Sequence, residues 1–150
     1  MNSATADKQT DALDLANELR PVLLRLTRHL RRELAPLGIT AGQAALLHAI
    51  DSAVAVGVRE LAEGERISRP RVTAAVNRLE SMGLVTRTRS DVDGRRVELA
   101  VTPEGRRILR SARRRRTAWL AARLGQLDVA ERESVADALP ALERLLEVRP

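Results

Sequence analysis

The chain contains no cysteine, no phenylalanine and no tyrosine, and Trp119 is its one tryptophan. Without cysteine there are no disulfides, no thiolate metal sites and no thiol redox sensing, which suits a reducing cytoplasm. Without an aromatic platform for base stacking, the common single-strand and RNA-binding modules are excluded. No apolar run approaches membrane-spanning length, and residues 1–7 lack the basic-then-apolar pattern of a secretory signal, so a cytoplasmic protein is expected. Enzyme signatures are missing too: there is no nucleophile elbow, phosphate loop or Ser/His/Asp spacing. His29 and His48 are the only histidines and lack ligand spacing, so neither a metal nor a cofactor is expected.

What is present is charge, unevenly placed. The net charge of the 150 residues is +6. Residues 66–116 hold 15 arginines and 5 acids, a local charge of +10, which leaves −4 for the remainder. A basic middle between mildly acidic ends is the footprint of a polyanion site. A hydrophobic content of 44% is ample for one packed domain with an extension.

Apolar spacing and end signals give the element order. Residues 1–10 are polar and expected to be frayed. Residues 11–34 carry Leu15, Leu19, Val22, Leu23, Leu26 and Leu30 at helical spacing, with Pro21 as a kink or a first turn. Thr40 and Gln43 form a capping box that opens a second helix, burying Ala44, Leu46, Leu47 and Ile50. A short strand around residues 53–58 and a brief helix ended by Gly64 follow. Ser68 as N-cap and Pro70 in the first turn open a helix over residues 69–82, which buries Val72, Val76 and Leu79 and ends at Gly83. Residues 84–89 and 95–101 read as two strands around an Asp- and Gly-rich turn. Thr102 and Pro103 start a helix reaching about residue 124, and Asp128 and Glu131 cap a last one containing Pro140.

A capped basic helix followed by a hairpin with a basic tip has the shape of a winged helix-turn-helix. The fold expected is mainly α with a small β wing. Residues 37–101 are expected to form the DNA-binding domain, flanked by helical segments in residues 1–36 and 102–150. Arg69 and Arg71 offer paired donors to guanine, and Asn77 is able to read adenine. The hydroxyls of Ser68 and Thr73 suit phosphate oxygens. Arg78, Arg87 and Arg89 extend the basic surface, and Val72 lies within the same contacting stretch. At the turn, Asp93 is placed to hold Arg95 outward toward a narrow minor groove, with Arg96 beside it. The run from Arg113 to Arg116 points in all directions and reads as a solvated helix with salt bridges, or else as a phosphate-contacting patch.

Leu61-Ala62, the Ile67–Thr73 stretch, Asn77-Arg78-Leu79-Glu80-Ser81-Met82-Gly83-Leu84-Val85, Asp93-Gly94-Arg95 and Val101-Thr102-Pro103-Glu104-Gly105 together resemble the MarR family of bacterial transcription regulators. The residues from Leu37 to Gln43 resemble the start of that family's second helix. The resemblance spans residues 37–106 by motif. It implies a homodimer built on the first, fifth and sixth helices, so that residues 1–36 and 102–150 are dimerisation segments, binding a pseudo-palindromic operator in double-stranded DNA. By it, Arg95 is the wing-tip arginine and Asp93 its orienting partner, and Trp119 belongs to the dimer core. It also implies a ligand-responsive repressor. A small anionic or aromatic effector between dimer layer and winged domain would alter the spacing of the recognition helices, and either histidine is a candidate for that pocket. Two positions depart from the family pattern: Arg71 stands where a small Ser or Thr is usual, and Ala74 where Arg is frequent. The alternative reading is an architectural DNA-binding or adaptor protein without ligand control.

Overall fold

The protein is described here by a computed structural model covering residues 3–53, 56–89 and 97–147, with side chains from residue 11 onward. Helix α1 spans Ser3–Arg32, a 3-10 turn spans Ala35–Leu37, and α2 spans Ala41–Ser52. Helix α3 covers Val58–Gly64 and α4 covers Arg69–Ser81. Strands β1, Val85–Arg89, and β2, Val97–Val101, precede α5, Pro103–Leu124, and α6, Val129–Glu147. The family-like order expected from the sequence is the order found.

Most element ends obey local chemistry. Gln43 N–H donates to Thr40 Oγ1 at 3.2 Å, and Thr40 N–H donates to Gln43 Oε1 at 2.8 Å, so the capping box at α2 is complete. Asp128 and Glu131 make the same reciprocal pair at α6, at 2.9 and 2.8 Å. At the end of α4, Leu84 N–H donates to Leu79 O and Gly83 N–H to Glu80 O, both at 2.9 Å. Gly83 has φ +71°, the left-handed turn that this closure requires and that glycine adopts without penalty.

Two expectations need correction. The backbone of residues 3–10 is helical, continuing α1 toward the N-terminus. That stretch holds no glycine or proline, and Ala4, Ala6, Lys8 and Gln9 are good helix formers. Pro21 therefore lies inside a helix rather than in its first turn. Gly64 is the last residue of α3, where the sequence places the end of that helix. The left-handed turn beyond it is made by Arg66, at φ +53°, whose N–H donates to Glu63 O while Ile67 N–H donates to Ala62 O at 3.0 Å. Ser68 stands at the N-cap position of α4 in extended conformation, but its side chain makes no capping bond.

The chain divides into two compact units, Met1–Arg115 and Arg116–Pro150. In the first, Leu34, Leu47, Val72, Val76 and Leu79 are the largest fully buried side chains. Around them lie Ile39, Ile50, Leu61, Leu84, Val85 and Ile108. The two strands are antiparallel, with Val85 opposite Val101, Arg87 opposite Leu99 and Arg89 opposite Val97. The short strand expected before α3 is a single bridge: Leu99 N–H donates to Val56 O at 2.8 Å. Helix α5 meets the end of α4 through Gly105, where a Cβ would lie 2.3 Å from the Leu84 carbonyl oxygen. In the second unit, the Arg123 guanidinium sits 3.6 Å above the Trp119 ring, a cation–π contact.

Candidate nucleic-acid interface

The interface is built from α3, the turn after it, α4 and the hairpin. Glu60 fastens the start of α3 by accepting from Gly57 N–H at 3.0 Å. Leu61 and Ala62 bury the inner side of α3. Val72, Val76 and Leu79, spaced four and three, press α4 into the core along one line. That packing decides what faces outward. Arg69, Arg71, Thr73, Ala74, Asn77, Arg78 and Ser81 are exposed.

On this outer face Arg71 and Arg78 lie two turns apart on one line, about 10 Å along the axis. Thr73 and Asn77 share the next line, one turn apart. Ala74 lies between, so a short side chain fronts the middle of the face. Ser68 and Arg69 are exposed where the helix begins, and the Ser68 hydroxyl does not occupy the first-turn N–H groups. Val72, placed by sequence among the contacting residues, is fully buried instead. It holds the helix in place and cannot touch a ligand.

Alternation along the strand sends Arg87 to the same side as buried Val85. That side meets α4. Arg87 Nη1 donates to Glu80 Oε2, and Arg87 Nη2 donates to Asn77 Oδ1 at 2.7 Å. The sequence placed Arg87 and Asn77 in one DNA-binding set. The structure brings them together and adds Glu80, which sequence reasoning passed over because a contact between helix and strand leaves no local spacing signal. Arg89, one step out along β1, is exposed. Asp93, Arg95 and Arg96, with the turn that carries them, lie outside the described residues.

Not every cation is available to a polyanion. Arg106 pairs with Asp51 at 3.0 Å, and Arg107 pairs with Glu104 at 2.5 Å. The hydrogen bond from Arg107 holds the Glu104 carboxyl below its ordinary pKa. Arg115 donates to the Glu33 backbone oxygen at 3.0 Å and pairs with its carboxylate at 3.3 Å. One member of the Arg113 to Arg116 run is thus a structural tie, in line with the salt-bridge reading. In contrast, Arg69, Arg71, Arg78 and Arg89 form no ion pair among the described residues. Unpaired positive charge therefore lines α4 and the adjoining strand, as it does α1 and α5. No group of His, Cys, Asp or Glu among the described residues could hold a metal ion. Nor is any described helix long and apolar enough to cross a membrane.

Comparison with known proteins agrees with this geometry. A family model described as MarR family matches residues 37–96. An HTH-type transcriptional regulator of Mycobacterium tuberculosis is 32% identical over 136 residues, 91% of this chain and 95% of that protein. A crystal structure of a putative transcriptional regulator from Pseudomonas aeruginosa is 35% identical, with a TM-score of 0.81 over 92% of this chain and 98% of that one. A mutant of the MarR protein of E. coli is 27% identical, with a TM-score of 0.73 over 88% of this chain and 96% of its own.

Proposed function

The chain belongs to the MarR family of DNA-binding transcription regulators, and from that premise we propose that it works as a homodimer on a pseudo-palindromic operator. The observation that carries the reading is the outer face of α4. Three exposed arginines without acidic partners among the described residues, Arg69, Arg71 and Arg78, stand there beside Asn77 and Thr73. A helix held by one apolar line and bearing donors on the other suits the major groove. The open first turn of α4, with the Ser68 and Thr73 hydroxyls, suits phosphate oxygens. Arg89 continues the basic surface toward the hairpin turn, where Asp93, Arg95 and Arg96 would meet the minor groove.

Two copies are needed to read a palindrome, and the single chain leaves apolar surface to join them. On α1, Leu13, Leu15, Val22, Leu23 and Leu24 are exposed; on α6, Val129, Val135, Leu139, Leu145 and Leu146 are. Apolar patches of that extent on one chain mark an association surface. In this reading the dimer represses by occupying its operator. A small anionic or aromatic effector releases it by changing the separation of the two α4 helices, which must match grooves one turn apart.

Binding-site selection with the purified protein on random duplexes tests the proposal. Enrichment of one palindrome, with affinity falling steeply as salt rises, is the expected result. Equal affinity for all duplexes would instead indicate an architectural protein. Operator affinity that no candidate effector alters would remove the ligand-responsive part.

A further inference from the structure

We propose that Arg87 determines which kind of base Asn77 reads. Arg87 is a positioning residue that acts through Asn77, and the inference rests on α4 being the recognition helix. Its starting point is the three-residue cluster of Asn77, Glu80 and Arg87. The guanidinium has only donors. The Asn77 atom that faces it at 2.7 Å must therefore be the carbonyl oxygen. Glu80, one turn along α4 from Asn77, takes the other end of the same planar fork. Both side chains of the ion pair are partly sheltered, Arg87 at 31% and Glu80 at 38% exposure. The guanidinium is thus held at two points, and the Asn77 amide is held by it.

An unrestrained asparagine turns its amide either way and presents an acceptor or a donor. Asn77 keeps its oxygen toward Arg87 and presents its NH2 group to whatever lies over α4. In the major groove guanine (N7 and O6), thymine (O4) and adenine (N7) offer acceptors, whereas cytosine offers only its amino donor. A fixed NH2 group is matched to guanine or thymine, reaches adenine through N7 alone, and is mismatched to cytosine. This removes the two-bond adenine contact that asparagine makes when both of its amide groups are free to engage the base edge. The cost of disturbing the cluster falls on one base position in each half-site, since the remaining contacts come from other side chains.

The test is binding-site selection with the full-length protein, followed by affinity measurement on operators changed at single positions. The wild type should favour guanine or thymine over cytosine at one position by about tenfold, the usual discrimination of a good base contact. Arg87→Ala should bring that ratio close to one while leaving the preferences at all other positions in place. In an Asn77→Ala background, adding Arg87→Ala should change no base preference further. Asn77→Asp, which has no donors, should lose that preference even with Arg87 present. Were Arg87→Ala to fail to fold by circular dichroism, Glu80→Gln frees the other anchor of the guanidinium and should weaken the same ratio. An unchanged ratio in Arg87→Ala, or in Glu80→Gln where that substitutes for it, overturns the proposal. So does a uniform loss of affinity across all duplexes with a shallower salt slope, which would make Arg87 a phosphate contact. A wild type without any sequence preference would instead overturn the operator reading itself, and this inference with it.

Discussion

The hydroxyl of Thr102 donates to the carbonyl oxygen of Gly83 at 2.7 Å and accepts from the N–H of Gly105 at 3.0 Å. Thr102 N–H also donates to Leu84 O at 3.0 Å. One residue therefore caps α5 and fastens it to the turn that ends α4. Thr102→Val keeps the shape and removes the hydroxyl. It should lower stability by about 1–2 kcal/mol, the range for a lost cap with an orphaned donor. Thr102→Ser should retain most of it. Urea denaturation at fixed protein concentration reads the difference, and equal midpoints for wild type and Thr102→Val would contradict the assigned role.

Gly105 fills its place because nothing larger fits. An added Cβ would meet Leu84 O at 2.3 Å and Val101 Cγ1 at 2.6 Å, and the first is backbone that cannot swing aside. Gly105→Ala should cost about 2 kcal/mol or more through the displacement it forces. Gly64 provides the contrast. A Cβ there has nothing within 4 Å, and the residue ends α3. Gly64→Ala should be neutral or stabilising by up to about 1 kcal/mol. Calorimetric melting of the two variants should move in opposite directions or leave Gly64→Ala unmoved.

Arg66 holds a left-handed conformation between the two helices that present the interface, at φ +53°. A non-glycine residue there is strained by about 1–2 kcal/mol, and glycine would give back part of the gain through chain entropy. Arg66→Gly should therefore raise stability by about 0.5–1 kcal/mol, read from the shift in denaturation midpoint. A lower midpoint would show that the Arg66 side chain makes a contribution exceeding its backbone strain.

Arg71 and Arg78 stand on one line of α4 without acidic partners among the described residues, whereas Arg59 on α3 is tied to Glu63 at 3.0 Å. Arg71→Ala should weaken operator binding by about 1–3 kcal/mol and relax the preference at the base it contacts. Arg78→Ala should weaken binding with a shallower dependence on salt if its partner is a phosphate. Arg59→Ala should do neither. Titration of a labelled operator at several salt concentrations distinguishes the three, and indistinguishable curves for Arg71→Ala and Arg59→Ala would remove Arg71 from the interface.

Features with short-range causes were legible in the sequence. The capping boxes at Thr40 and Asp128, the glycine turn at Gly83 and the burial of Val72, Val76 and Leu79 each follow from side chains within a few positions. Gly64 likewise ends α3 as its composition suggests, with the left-handed turn following at Arg66. One local signal misled. Ser68 occupies the right position for a cap without making the bond. Long-range partners were invisible: the meeting of Arg87 with Glu80 and Asn77 depends on how strand and helix pack, which spacing along one chain cannot show. The same holds for Arg106 with Asp51 and for Arg115 with Glu33. Membership of the DNA-reading fold was therefore evident from sequence, while the roles within its basic residues needed coordinates.

The solitary indole of Trp119 has a practical consequence. With no other strongly emitting side chain, intrinsic fluorescence excited at the indole band reports on one place, beneath the Arg123 guanidinium in the C-terminal unit. Far-ultraviolet dichroism, by contrast, sums over every helix. Comparing the two signals through one unfolding experiment separates local from global events without any label. Coincident curves would mean that the DNA-reading unit and the C-terminal unit melt as one cooperative body, and an earlier fluorescence transition would mean that the C-terminal unit lets go first.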